Sequence, residues 1–213
     1  MIEQPPHDCP LCPRLVEYRR ANQAANPDWF NGPVPSWGST EAAFLVVGMA
    51  PGVRGANRTG RPFTGDHAGV LLYETMIRYG FATGAYAARP DDGMQLAGSR
   101  VINAVRCVPP ANLPQPPEIR NCNHFLQAEL QGMPNLRVVL TLGVLAHAAV
   151  LRACNLPANR IKFQHGAFNT LPNGLTLADS YHVSRYNTNT GLLTAAMFAE
   201  VIAGVAARLG RPQ

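Results

Sequence analysis

The stretch Phe44-Leu-Val-Val-Gly48 is a short apolar run that ends on a glycine and opens a long glycine-rich loop. Three similar apolar runs follow it along the chain, at Arg100–Val105, Arg137–Leu142 and Leu175–Tyr181. Short and largely apolar runs are typical of strands that are covered on both faces, as in a parallel sheet. The four runs therefore predict a central sheet of four parallel strands.

Helical apolar spacing appears before, between and after these strands. It predicts helices over Pro13–Ala24, Val70–Tyr79, Ile119–Gln131, Val144–Cys154 and Thr194–Leu209. Strands that alternate with helices are typical of an α/β domain. We expect one domain over residues 1–213, built as a three-layer αβα sandwich. Its N-terminal arm (about 1–40) contains a predicted loop from Asn26 to Ser39, rich in Pro, Gly and Trp.

Composition narrows the class of protein. Of the 213 residues 46% are hydrophobic, which excludes general disorder, and the net charge is +5. The most prominent apolar run, Ala42–Ala50, is far shorter than the roughly 20 residues of a membrane span, and no signal pattern is present. We therefore expect a soluble, cytoplasmic protein. All but one of its 18 basic residues are arginines, which suits phosphate contacts and also fits a GC-rich genome.

Two loops follow predicted strands at the edge where α/β sheets bind their ligands. The loop from Gly48 to Gly69 has six glycines and carries arginines, an aromatic and a carboxylate, although a flexible connector is the alternative. It has neither a P-loop nor a dinucleotide-binding glycine pattern, which lowers support for nucleotide hydrolysis and hydride transfer. The second loop opens with His182, whose position fits either a functional or a structural histidine.

Four cysteines form two pairs, a C-x2-C pair at Cys9 and Cys12 and a C-x14-C pair at Cys107 and Cys122. Four thiolates hold either a tetrahedral zinc ion or an iron–sulfur cluster, and the spacing does not distinguish them. Either group would join the N-terminal arm to the loop after the second strand, a structural role. The alternative is four unrelated buried thiols. The fifth cysteine, Cys154, is expected to pack as a small apolar residue inside a helix.

Taken together, five segments resemble the uracil-DNA glycosylase superfamily, and within it the iron–sulfur-containing family 5 (type B). They are Cys9–Val16, Gly48–Gly69, Ile102–Pro110, Phe163–Gly166 and Ser180–Thr194, and they extend over most of the chain. Family 4 resembles the chain less well, because Gly55 or Ala56 stands where its first motif has a glutamate. Val183 also departs from the family pattern, since many relatives have a proline after the histidine.

The resemblance implies a monofunctional DNA glycosylase that flips uracil out of DNA and hydrolyses its N-glycosidic bond, which initiates base excision repair. Asn103 would read the pyrimidine edge, and His182 would donate to O2 of the leaving base. Phe63 is a candidate platform for stacking the flipped base, and backbone amides near Ala50 and Gly52 are candidate donors to the same anion. Asp66 would position water or stabilise the sugar cation, unless it only caps the following helix.

The resemblance also implies a [4Fe-4S] cluster on the four paired cysteines, and substrates beyond uracil: hypoxanthine, ethenocytosine and hydroxymethyluracil. Single- or double-stranded DNA would be the partner of a monomer. We expect phosphate contacts from Arg54, Arg58 and Arg61, and a wedge that fills the gap of the flipped base from Arg185, Tyr186 and Asn187. Surface arginines that contact only solvent are the alternative.

Two other functions remain open at this stage. The first is a non-catalytic nucleic-acid-binding module built on the four-cysteine metal site. The second is a glycosylase that also cleaves the strand as a lyase, which requires an amine nucleophile, and the chain has a single lysine, Lys162.

Overall fold

A computed structural model describes residues 2–211, and a mixed six-stranded sheet forms its centre. The strands are β1 (Trp37–Gly38), β2 (Phe44–Gly48), β5 (Ser99–Asn103), β6 (Val138–Leu142), β7 (Phe168–Thr170) and β8 (Thr176–Ser180). Their order across the sheet is β1-β5-β2-β6-β8-β7. The four central strands are parallel and are the four predicted from the sequence. A separate two-stranded sheet pairs β3 (Ala82–Thr83) with β4 (Gln95–Leu96).

Helices cover both faces of the sheet, which confirms the predicted αβα sandwich. The helices are α1 (Pro13–Ala25), α2 (Ala56–Thr59), α3 (His67–Arg78), α4 (Pro116–Gly132), α5 (Val144–Ala153), α6 (Arg185–Asn189) and α7 (Ala195–Arg208), with a 3₁₀ turn at Pro110–Asn112. One apolar core joins α3 and α7 to one face of the sheet, and a second joins α4 and α5 to the other face. None of the helices in residues 2–211 is long and apolar enough to span a membrane.

The sheet is wider than predicted, because two antiparallel strands flank its parallel centre. β1 pairs Trp37 with Val101 inside the segment predicted as loop, and β7 pairs Phe168 with Ala178. Both strands are only two or three residues long, too short for an alternating pattern to register in the sequence. Gly38 takes a φ of 108° and lies so close to the backbone of β5 that a Cβ would overlap the Ser99 carbonyl.

The N-terminal arm is ordered and packs on the main body through α1. Leu15 of α1 is buried in a small apolar cluster with Val105 and Phe125. Arg14 donates to both carboxylate oxygens of Glu118 in α4, at 2.7 and 2.8 Å. The arm is therefore held to the sheet by contacts with residues that lie about a hundred positions further along the chain.

Candidate active site

A cleft of about 960 Å³ opens at the carboxyl ends of the parallel strands. Three of its walls are the loop after β2, the turn between β6 and α5, and the loop after β8. All six residues expected to bind or act on the base line it: Ala50, Gly52, Phe63, Asp66, Asn103 and His182. Residues that are up to 132 positions apart in the sequence thus meet in one site, as the topology of an α/β sheet predicts.

Asn103 and Phe63 line the cleft, and Gly48, at the end of the strand next to that of Asn103, is buried against both of them. Gly48 and Asn103 are register partners. A Cβ at Gly48 would overlap both the Asn103 Oδ1 and the Phe63 ring, so only glycine allows these groups to approach each other. The Asn103 Oδ1 is buried without a hydrogen-bond partner among residues 2–211. A buried polar atom of this kind costs free energy until a ligand supplies its partner.

Phe63 holds its ring in the cleft through a left-handed backbone, with φ 51°, which is rare for a bulky side chain. Two tyrosines fix the chain there: Tyr86 donates its hydroxyl to the Phe63 carbonyl at 3.1 Å, and Tyr73 donates to the carbonyl of Pro62. Such a backbone persists only where its surroundings hold it, and it is common at ligand-binding sites. Both tyrosines lie outside the loop, so the sequence analysis did not connect them with the site.

Arg61 was expected to contact DNA phosphates, but in this fold its side chain is buried in contacts within the protein. Its guanidinium is 6% exposed and forms two hydrogen bonds with the Asp92 carboxylate, at 2.8 and 2.7 Å. It also lies 4.7 Å from the centre of the Trp37 ring and donates to the Thr64 hydroxyl at 2.7 Å. Arg61 therefore fixes the chain on either side of Phe63 and has no face free for DNA. Its partner is 31 residues away, which sequence inspection does not reveal.

Asp66 is both a helix cap and a wall of the cleft. Its Oδ1 accepts the Ala68 N–H at 3.1 Å at the start of α3, while its Oδ2 faces Gly52 and Gly55. Burial raises the pKa of this carboxyl above its usual value, although the amide donors at the helix start oppose that effect. The two interpretations of Asp66 from the sequence are therefore compatible, since one oxygen caps the helix and the other faces the loop.

His182 lies at the end of β8, in the wall of the cleft. Its ring centre is 6.3 Å from that of Phe63, and burial lowers its pKa to about 4. The imidazole is therefore neutral at pH 7 and carries one N–H donor. Asn187 donates its side-chain amide to the His182 carbonyl at 2.8 Å and so helps to fix this loop.

The loop after His182 continues into the short helix α6. Ser184 caps the start of this helix, because its hydroxyl accepts the Asn187 N–H. Arg185 and Tyr186 are exposed, Tyr186 to 73%. Asn187 is partly buried, and its side-chain amide is hydrogen-bonded to the His182 carbonyl. Two of the three expected wedge residues, Arg185 and Tyr186, are therefore free to contact DNA. Arg54 and Arg58 are likewise exposed on the loop after β2. The basic and aromatic groups thus lie on both sides of the cleft.

The cleft has one hydrogen bond between these two sides that the sequence analysis did not find. His67, next to Asp66, lies 3.0 Å from the Thr188 hydroxyl of α6, measured from its Nε2. This contact joins the start of α3 to the helix that carries Arg185 and Tyr186. A histidine directly after the candidate catalytic carboxylate was the only sequence signal for it.

The four paired cysteines line one small cavity between α1, the segment after β5 and α4. N–H donors surround the sulfurs: Arg19 Nη1 lies 3.5 Å from the Cys107 sulfur, and the Arg106 amide lies 3.4 Å from that of Cys122. Burial raises the pKa of the Cys107 thiol to about 12 and that of Cys122 to about 11. Among residues 2–211 no group of three or more His, Cys, Asp or Glu side chains is placed to hold a metal ion.

Known proteins resemble this chain over most of its length. The family model of the uracil DNA glycosylase superfamily matches residues 35–206. A type-5 uracil-DNA glycosylase of Thermus thermophilus is 43% identical over 199 residues, 91% of this chain and 90% of that protein. Type-5 uracil-DNA glycosylases of Pyrobaculum aerophilum and Mycobacterium leprae are each 38% identical, over 95% and 91% of this chain and 90% and 88% of theirs. The chain therefore belongs to the uracil DNA glycosylase superfamily and resembles its type-5 members over most of its length.

Proposed function

We propose that the protein is a monofunctional DNA glycosylase that removes uracil from DNA and leaves an abasic site. One observation carries the proposal: Asn103, whose Oδ1 is buried without a hydrogen-bond partner among residues 2–211, lines a cleft that also contains the Phe63 ring and the neutral His182. A uracil turned out of the helix offers an aromatic face to Phe63 and an N3–H to that oxygen. The names of the relatives support the same substrate.

The bond to the sugar breaks as the base leaves with negative charge on its carbonyl oxygens. His182 donates its N–H to O2 of the base, and a neutral donor suits this task because it stabilises the anion without transferring a proton first. Asp66 lies across the cleft as a carboxylate that can orient water toward the sugar or stabilise its positive charge. Asp66 is partly withdrawn from solvent, which strengthens both effects.

The expected range of bases extends beyond uracil. The part of the loop after β2 that lines the cleft presents mainly glycines, alanines and other apolar residues beside Asp66, with Arg54 as the other charged side chain. A wall with few fixed polar side chains offers few hydrogen bonds that would select one base edge over another. We therefore propose that hypoxanthine, ethenocytosine and hydroxymethyluracil are also removed, and that the product enters base excision repair.

DNA binding is proposed to use the exposed residues on both sides of the cleft. Arg54 and Arg58 would contact phosphates, which fix the register of the protein on the strand without reading its sequence. Arg185 and Tyr186, on a helix that directly follows His182, are placed to fill the space of the extruded base. This arrangement needs one copy of the chain, and it accepts double-stranded or single-stranded DNA.

We further propose that Cys9, Cys12, Cys107 and Cys122 hold a [4Fe-4S] cluster that ties the N-terminal arm to the main body of the domain. The four thiols surround one cavity, and the nearby N–H donors are the groups that commonly stabilise cluster sulfurs. Thiols with raised pKa values remain protonated unless a cationic group displaces their protons. When bound, the cluster would supply structural stabilisation, since none of the four cysteines lines the catalytic cleft.

A panel of duplexes with one modified base each tests the activity. Purified protein should leave abasic sites, seen as strand breaks only after alkali treatment, at uracil and at a subset of the other bases. His182→Ala should lower the single-turnover rate on uracil by about 10² to 10³, with little change in DNA affinity. Asp66→Asn should cause a smaller loss that depends more on the base.

The same panel separates the two alternative functions. A non-catalytic binding module would leave every duplex intact after alkali treatment. A lyase would break strands without alkali and would require Lys162, which is exposed on the segment after α5 and does not line the cleft. If His182→Ala excised uracil at the wild-type rate, the proposed role of His182 would be wrong.

A further inference from the structure

The segment Phe163–Gly166 has no role in the chemistry above, although it lies against the strand that carries His182. It precedes β7, the antiparallel neighbour of β8. The register of the two strands pairs Phe168 with Ala178. Continued by three residues, the same register brings His165 opposite Tyr181, the residue immediately before His182.

The backbone pairing becomes irregular just before that point. The Asp179 amide still donates to the Ala167 carbonyl at 3.1 Å, but the Asp179 carbonyl accepts from Gly166 instead of Ala167. Ala167 instead donates to the carbonyl of Gln164 at 3.0 Å, and Gly166 takes a φ of 77°. An irregularity of this kind at a sheet edge redirects the chain and ends the pairing.

The side chain of His165 then takes the place of the missing backbone acceptor. Its Nδ1 accepts the Tyr181 N–H at 3.1 Å. Its ring stacks on the Tyr181 ring, with the centres 4.7 Å apart and the planes 5° from parallel. One imidazole thus fixes both the amide and the side chain of the residue before His182.

We propose that His165 is the positioning residue for His182. The proposal rests on the function proposed above. The Ser180 carbonyl is held by the Gly143 amide at 2.8 Å, and the His182 carbonyl is held by Asn187, so both ends of this short turn are anchored. Between those two anchors, the Ser180 hydroxyl donates to the Tyr181 carbonyl at 2.9 Å, and His165 accepts the Tyr181 N–H from the neighbouring segment. His165 thus sets the direction of the Tyr181 amide and contributes to the path of the backbone into His182.

The segment that carries His165 is itself firmly held. The Phe163 ring lies 5.7 Å from the His147 ring, edge to face, and 6.1 Å from the Tyr181 ring. His147 is buried, and its two ring nitrogens lie 2.8 Å from the Asp179 carboxylate and 2.9 Å from the Ile161 carbonyl. The position of His165 is therefore fixed relative to β8 by contacts independent of its own hydrogen bond.

An acceptor at Nδ1 requires the neutral imidazole with its proton on Nε2. Burial lowers the pKa of His165 from its usual value, with Glu200 of α7 opposing this shift. The neutral form is therefore the one present at the pH of an excision assay, consistent with the hydrogen bond to Tyr181.

Two substitutions separate the acceptor from the stacked ring. His165→Phe keeps an aromatic ring on Tyr181 and removes the acceptor, whereas His165→Asn places an oxygen near the position of Nδ1 and removes the ring. Single-turnover excision of uracil, duplex affinity and melting temperature are measured for both variants. Gln164→Ala, a change at the exposed neighbour, is the matched control.

We expect His165→Phe to slow excision by about tenfold to a hundredfold, the size of loss typical when a reacting group moves by a fraction of an ångström to one ångström. Its duplex affinity should stay at the wild-type value, and His165→Asn and the control should excise within about threefold of wild type. If His165→Phe does not fold, His165→Gln, whose polar group falls near Nε2, replaces it with the same expected loss.

Excision at the wild-type rate by the variant that lacks the acceptor would overturn the proposal, as would an equal loss in His165→Asn. A loss that follows the melting temperature in all variants would also overturn it, since that is the behaviour of a purely structural residue. Wild-type protein without activity on any duplex would instead contradict the proposed function.

Discussion

Lowering the pH from 7 to 5 should destabilise the wild-type protein more than the His182→Ala variant. His182 is partly buried in its neutral form, and its withdrawal from solvent lowers its pKa from 6.5 to about 4. In the unfolded chain the same imidazole takes up a proton below pH 6.5. Between these two values the unfolded state binds more protons than the native state, so the free energy of unfolding must fall as the pH falls.

The size of this effect follows from the two pKa values. The pKa of His182 is about 2.5 units lower in the native protein than in the unfolded chain. At 1.36 kcal/mol per unit, the free energy of unfolding is reduced by about 3 kcal/mol once the pH has fallen to the pKa of the native state. At pH 5 most of it is already lost, because the unfolded histidine is almost fully protonated and the native one is not. The wild type should therefore lose about 2 kcal/mol more than His182→Ala between pH 7 and pH 5.

Urea unfolding of both proteins at the two pH values measures this difference. The carboxylates that titrate in the same range are common to both proteins, so their contribution cancels in the comparison. Equal losses in the two proteins would show that His182 is charged or well solvated in the native state. The neutral-donor mechanism would then be wrong, and an imidazolium would have to stabilise the leaving base.

Five further variants test other parts of the protein. Arg58→Ala should weaken binding to damaged and undamaged duplex alike, and the slope of log affinity against log salt concentration should fall by about one. Arg61→Ala should instead lower the free energy of unfolding by about 3–5 kcal/mol, as measured by urea unfolding. Cys107→Ala should reduce bound iron and soluble yield, and Cys154→Ala should leave iron content unchanged by elemental analysis; zinc without iron in the wild type would contradict the cluster. Gly55→Ala should slow excision in single-turnover assays, because its Cβ would overlap the carboxylate that caps α3.

The sequence predicted the parallel centre of the sheet well, because the apolar runs belong to strands buried on both faces. The run at Phe44–Gly48 has the observed bounds, and that at Leu175–Tyr181 exceeds β8 by one residue at each end. The starts of α1 and α5 were also predicted correctly, whereas those of α3 and α4 were each three residues too late. α4 begins three residues before Ile119, because Gln115 caps it and two prolines open it, and apolar spacing carries no signal for such a start.

For the site, the position of each loop in the topology predicted which loops meet. The sequence did not show which side chains form hydrogen bonds or ion pairs with each other. Loops that follow parallel strands had to meet at one edge, so the loop after β2 and the loop that opens with His182 were predicted to share a cleft from the order of elements. The role of Asn103 was predicted from the family resemblance instead. Arg61 could not be separated from Arg58 in the same way. Both lie in one glycine-rich loop, and only the folded chain shows that Asp92 neutralises one of them.

The attachment of the N-terminal arm also sets the order in which the protein can be completed during synthesis. Arg14 and Glu118 are 104 residues apart, and Leu11 accepts a hydrogen bond from Asn121, 110 residues later. At roughly 5–20 residues per second, the arm leaves the ribosome several seconds before α4 exists. This early segment is thus among the last to dock, since its contacts on α4 are made about a hundred residues later.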